Sequence, residues 1–78
     1  MTEASPDTNE RNLHEELVQY LLDRVREDRY PSTTMLDMLE ATAQGHQREE
    51  FVDIMLEKVT ADRFPSIPML ERIRRVAR

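Results

Sequence analysis

The chain has 78 residues, with 16 acidic and 11 basic side chains, no Cys and a formal net charge of −5. This length allows one small domain, and the absence of Cys excludes disulfides and thiolate metal sites. Apolar stretches are too short to span a membrane, and the first ten residues lack the basic and apolar regions of a secretory signal. We therefore expect a cytoplasmic protein.

The N-terminal segment 1–11 contains no large apolar side chain after Met1. A segment that cannot bury apolar surface gains too little to offset the entropy lost on ordering. We therefore predict a disordered tail over 1–11 and a single four-helix domain over 12–78.

The first predicted helix has an i, i+4 stripe of apolar residues, formed by Leu13, Leu17, Leu21 and Val25. Such a stripe is typical of a helix that packs one face against a core. Asn12 is a suitable N-cap for this helix. The dipeptide Tyr30-Pro31 ends it, because a residue that precedes proline is pushed out of the α region.

The second predicted helix begins after Ser32, a favoured N-cap residue, and contains Met35, Leu36, Met38 and Leu39. Gly45 is the only Gly and follows this helix, where a left-handed residue commonly closes a C-terminus. We therefore place the boundary between two helical hairpins here, over 12–45 and 46–78.

The second hairpin follows the same plan. Its first helix has a dense set of apolar residues: Phe51, Val52, Ile54, Met55, Leu56 and Val59. Phe64-Pro65 breaks this helix, and Ser66 is positioned to cap the next one. Pro68 supports that boundary, because proline is tolerated in the first turn of a helix.

An internal repeat with an offset of 34 residues relates the two hairpins. When 15–43 is laid over 49–77 without gaps, 12 of the 29 positions are identical. The period matches that of tetratricopeptide repeats, but the Trp, the Gly-x-x-Tyr step and the terminal Pro of that motif are absent. We therefore predict an all-α fold of four short helices, with two tandem hairpins packed face to face about a pseudo-two-fold axis.

The two corners repeat as Tyr30-Pro31-Ser32 and Phe64-Pro65-Ser66. The Pro and Ser residues have a structural explanation, as helix ends and caps. We expect the two aromatics to close the ends of the core, since large aromatic side chains contribute strongly to small cores. A ligand-stacking role is the alternative.

Motifs that carry catalytic or metal chemistry are missing. The segment that begins at His14-Glu15 resembles H-E-x-x-H, but Val18 occupies the position of the second His. One Gly cannot form a phosphate-binding loop, and the corner serines are explained as caps. We therefore expect no enzyme activity, no cofactor, no metal and no small-molecule substrate.

The last predicted helix carries four arginines that the first repeat lacks: Arg72, Arg74, Arg75 and Arg78. Some of this charge suits a helix C-terminus, and Glu71–Arg75 forms an i, i+4 pair. Four arginines exceed what these local effects require. This cluster is therefore the candidate partner-binding site, for an acidic protein or a second copy of the chain.

We therefore predict a small non-enzymatic interaction module or adaptor, with a protein partner or a homodimer. The alternative is a nucleic-acid-associated regulator that uses the Arg cluster. The net charge of −5 and the few aromatic residues make nucleic acid the less favoured partner.

Overall fold

A computed structural model describes the backbone of residues 6–78 and the side chains from Leu13 onward. The helices are α1 (Pro6–Glu27), α2 (Thr33–Thr42), α3 (Gly45–Ala61) and α4 (Ile67–Val76). No strand occurs in the described part of the chain. The prediction of an all-α fold with four helices is confirmed.

The N-terminal boundary differs from the prediction. The helix α1 begins at Pro6, so it includes residues 6–11 and runs through Asn12, which therefore does not cap it. Proline is favoured at the first position of a helix because its missing N–H would have no partner there. The predicted tail also covers 1–5, which lie outside the described residues.

The starts of α2 and α4 match the sequence prediction and each other. The Ser32 hydroxyl accepts a hydrogen bond from the Met35 amide at 3.0 Å, and Ser66 accepts one from the Met69 amide at 3.0 Å. Both serines have extended backbone conformations. The two corners are thus built locally in the same way, at the 34-residue offset of the repeat.

The junction between the hairpins contains the left-handed residue that the sequence predicts, but in a different role. Gly45 has φ of 56°. It does not close α2, whose C-cap is Ala43; it is the first residue of α3. The positive φ reverses the chain after α2, and glycine adopts it without the steric cost that a Cβ would bring.

The core lies mainly between α1, α2 and α3. Its fully buried members include Leu22, Leu39 and Phe51. The helix α1 packs against α2 and α3, α3 packs against α4, and α2 contacts α3 more lightly. Leu21 and Val25 of the predicted apolar stripe are buried, while Leu13 and Leu17 are exposed. Val18 and Leu22 complete the core-facing side of α1.

The first helices of the two hairpins, α1 and α3, run parallel. Near the start of α3, the Gln47 side-chain amide donates to the carbonyl of Glu15 in the middle of α1, at 3.0 Å. Near their C-terminal ends, Lys58 Nζ donates to the Arg26 carbonyl at 3.2 Å. The two corners that follow these helices are consequently brought to the same end of the molecule.

Equivalent positions of the repeat are not equally buried. Phe51 is fully buried, while its equivalent Leu17 is 50% exposed; Leu22 is fully buried, while its equivalent Leu56 is 45% exposed. A two-fold axis would give equivalent residues the same surroundings. The predicted pseudo-two-fold relationship is therefore not confirmed, and the two hairpins use different faces to contact each other.

Candidate functional site: a groove between the two corners

The corner aromatics are exposed, so the prediction that they close the ends of the core is wrong. Tyr30 is 78% and Phe64 is 85% exposed. The helices α1 and α3 end at Glu27 and Ala61, and each aromatic lies three residues later in a mostly exposed connection. The side chains consequently stand beyond the last layer of the core.

The two corners form the walls of one groove, with a volume of about 380 Å³. Both exposed aromatics line it, together with core-side residues of α2 and α4 such as Leu36 and Met69. The groove forms because α1 and α3 run parallel, so the corners that follow these helices lie side by side. Its lining residues are Arg29, Tyr30, Pro31, Thr33, Leu36, Lys58, Val59, Asp62, Phe64, Ser66, Pro68, Met69 and Arg72.

The groove lining contains more basic than acidic side chains, although the whole chain is acidic. Its lining contains three basic side chains, Arg29, Lys58 and Arg72, and one acidic side chain, Asp62. The guanidinium carbon of Arg29 lies 5.8 Å from the centroid of the Tyr30 ring, within the range of a cation–π interaction. The site thus presents aromatic surface next to positive charge.

Arg72 is one of the four predicted partner-binding arginines, and it is buried. Its Nη1 donates to Glu40 Oε1 at 2.7 Å and lies 2.9 Å from Asp37 Oδ1. It thereby ties α4 to α2 at the wall of the groove. A buried guanidinium requires such partners, because an unpaired buried charge is costly.

Arg75 binds the same carboxylate with two donors. Its Nε donates to Glu40 Oε2 at 2.7 Å, and its Nη2 donates to Glu40 Oε1 at 3.0 Å. This hydrogen bonding to Arg75 is the main cause that lowers the pKa of Glu40, with the nearby charges of Arg75 and Arg72 adding to it. Glu40 is therefore held as a carboxylate.

The structure does not gather the four arginines on one surface. Arg72 lines the corner groove, while Arg78 lines a separate cleft near the C-terminal end of α4. Arg74 is exposed and lies 3.2 Å from Glu71 on its own helix. Glu40 is a residue that the sequence reasoning missed, because ion pairs between residues 32 and 35 positions apart leave no local sequence signal.

Arg48 is a second residue that the sequence reasoning did not identify. Its Nε donates to the Val76 carbonyl at 3.0 Å, and its Nη1 donates to the Ala43 carbonyl at 3.4 Å. These carbonyls lie at the C-terminal ends of α4 and α2. The Arg48 guanidinium thus binds carbonyls at the C-terminal ends of two helices, where the helix dipoles are negative.

Metal ions in proteins are bound mainly by His, Cys, Asp and Glu side chains. Among the side chains from Leu13 onward, no three His, Cys, Asp or Glu residues lie together in a way that could hold a metal ion. His14 and His46 are exposed and lie on different helices. No helix in the described part of the chain is long and apolar enough to cross a membrane.

Comparisons with protein-family models, with curated proteins and with solved structures give no match to this chain. The geometry of the corner groove and the exposed surface are therefore the observations from which function is inferred.

Proposed function

We propose that the protein is a non-enzymatic interaction module, and that its binding site is the corner groove. Its ligand is an extended segment of a protein partner, in which an apolar side chain is flanked by carboxylates. The observation that carries this proposal is the exposure of Tyr30 and Phe64 on opposite walls of one groove.

The exposed aromatic rings of the groove favour an apolar side chain in the ligand, because leaving such rings in water is costly. Contiguous exposed apolar surface commonly marks an interaction site, and aromatic residues often dominate binding energy at such sites. Tyr30 and Phe64 contribute little to the core, because most of each side chain is exposed. A partner side chain placed between them would cover both rings at once.

The basic side chains of the groove favour carboxylates in the ligand. Among the basic side chains of the groove lining, Arg72 is paired with Glu40 and Asp37, so Arg29 and Lys58 supply the positive charge against the single acidic side chain Asp62. The chain as a whole carries a net charge of −5. An acidic segment is repelled by most of the surface and attracted at the groove. Charge complementarity of this kind favours the correct site and speeds association.

The alternative of a nucleic-acid-associated regulator has less support from the geometry. Arg72 and Arg75 already bind Glu40, so half of the predicted cluster is engaged within the molecule. Phosphate binding relies on several basic side chains that act together.

Amide chemical-shift mapping tests the proposed groove. The probe is a synthetic pentapeptide with a central Phe between two pairs of Glu, added to the full chain labelled with nitrogen-15. We expect shifts around Tyr30, Phe64 and Met69, and loss of these shifts in the Tyr30→Ala and Phe64→Ala variants. The same peptide with Lys in place of Glu should bind more weakly, because it meets like charge.

The matched control is Tyr20→Ala, which removes an exposed aromatic of α1 that does not line the groove. This variant should bind the probe as the wild type does. Shifts spread over the surface, equal binding of the Lys peptide, or binding that survives both groove substitutions would contradict the proposal.

A further inference from the structure

Seven of the nine exposed large apolar residues in the described structure fall into three groups, and Met38 and Ile67 lie outside them. Two of them, Tyr30 and Phe64, belong to the corner groove. A second group lies on the outer side of α1, and a third lies on the outer side of the second hairpin. We name the second group the leading face (Leu13, Leu17 and Tyr20) and the third group the trailing face (Leu56 and Leu70).

Two of the three leading-face residues occupy positions that the second hairpin buries. Leu17 and Tyr20 are equivalent to Phe51 and Ile54 at the offset of 34 residues. Phe51 and Ile54 are buried in the core, on the helix that packs against α1. The chain thus already shows what covers this set of positions: the first hairpin of the repeat.

The trailing face has the converse property. Leu56 and Leu70 are equivalent to Leu22 and Leu36, both of which are buried in the first hairpin. In the first hairpin, these positions belong to the core completed by the second hairpin. In the described structure nothing packs on this side of the second hairpin, and its copies of these leucines are exposed.

Two polar contacts between α1 and α3 follow the same one-way pattern. Arg26 donates to Glu50 at 2.6 Å, and Lys58 donates to the Arg26 carbonyl. In each contact, the residue from the first hairpin lies further along its repeat than the residue from the second. The contact therefore joins two different faces of the same unit, and such a contact can be repeated by a further unit.

A cleft on the outer side of the second hairpin marks where the next unit would lie. It has a volume of about 590 Å³ and is lined in part by Val52 and Ala77. Their equivalents Val18 and Ala43 are buried, and Arg48 from the second hairpin reaches the Ala43 carbonyl. The surface that lines this cleft is therefore equivalent to a surface of the first hairpin that is buried within the chain.

We propose that copies of this protein associate head to tail, the leading face of one copy packing on the trailing face of the next as the second hairpin packs on the first. Such a contact is heterologous, so an open assembly keeps one unused leading face at one end and one unused trailing face at the other. The contact is independent of the corner groove, since the defining residues of both faces lie outside the groove lining.

Sedimentation velocity and light scattering on the full chain, from micromolar to millimolar concentration, test this proposal. We expect the wild-type mass to rise beyond that of a dimer, because a head-to-tail contact leaves faces open at both ends. Leu17→Glu and Leu56→Glu should each weaken self-association by about tenfold or more, because each buries an unpaired charge in an apolar contact.

Mixing the two variants distinguishes a head-to-tail contact from a two-fold one. Leu17→Glu retains an intact trailing face, and Leu56→Glu retains an intact leading face. An equimolar mixture should therefore form a one-to-one dimer that does not grow further. Tyr20→Glu and Leu70→Glu provide a second pair at neighbouring positions, and circular dichroism checks that each variant is folded.

Ile67→Ser is the matched control, because it removes a more exposed apolar side chain that lies outside both faces and outside the groove lining. Its equivalent Thr33 stays exposed within the chain, so Ile67 should not be covered by the next copy. This variant should associate as the wild type does. A wild type that stays monomeric throughout, or a mixture of folded variants that forms no dimer, would overturn the proposal.

Discussion

Glu40 of α2 accepts hydrogen bonds from both Arg72 and Arg75 of α4, so one carboxylate joins the second helices of the two hairpins. Glu40 lies 32 and 35 residues from these arginines in the sequence, whereas the local pattern pairs Arg75 with Glu71. The ion pairs bring together residues that are distant in the chain, and they convert part of the predicted binding cluster into an internal contact.

Replacing Glu40 with Gln should lower the free energy of unfolding by about 1 kcal/mol, because it leaves the buried Arg72 with a weaker set of partners. Solvent screening limits the effect, since Glu40 is itself partly exposed. Urea unfolding monitored by circular dichroism measures it. Glu71→Gln is the control: its pair with Arg74 is exposed on both sides, and no measurable change is expected.

The stabilising effect of Glu40 should depend on pH. Its pKa in the folded protein is lowered from the ordinary value of 4.5, chiefly by the hydrogen bonds from Arg75. A lowered folded-state pKa means that the contribution is present above 4.5 and is lost as the pH falls through the folded-state value. The difference in unfolding free energy between wild type and Glu40→Gln should therefore shrink on acidification. A difference that stays constant down to acid unfolding would show that the charge of Glu40 is not its source.

The two corner caps should contribute equally. Ser32→Ala and Ser66→Ala each remove one hydrogen bond of the same length to a helix amide, so each should cost about 1 kcal/mol of unfolding free energy. Thermal and urea unfolding of the single and double variants measure these costs. Ser32→Asp and Ser66→Asp should restore most of the loss, because Asp is also a good N-cap. Unequal losses would show that the corners differ in ways that their matching geometry does not reveal.

Local signals in the sequence predicted the features that depend on neighbouring residues. Ser32 and Ser66 cap their helices as expected, since capping requires only the three residues that follow. The exposure of Tyr30 could not be obtained in this way, because its aromatic character favours burial and only the end of α1 decides otherwise. The local pattern around Asn12 suggested a helix start, yet α1 begins earlier at Pro6.

The candidate site depends even more on tertiary structure. The sequence identified the corners as equivalent, but it did not indicate that parallel α1 and α3 place them on one groove. The Arg cluster was visible as four charges, whereas the partner of Arg72 and Arg75 lies more than thirty residues away at Glu40. The unequal burial of Leu17 and Phe51 follows from the order in which the hairpins contact each other.

The hydrogen bonds of Arg48 affect how the chain unfolds. Although it belongs to the second hairpin, it binds a carbonyl at the end of α2 as well as one at the end of α4. Melting of the first hairpin would remove one of its acceptors, and detachment of α4 would remove the other. The two hairpins should therefore unfold cooperatively. Partial unfolding of either repeat removes one of the two hydrogen bonds by which Arg48 joins the C-terminal ends of α2 and α4.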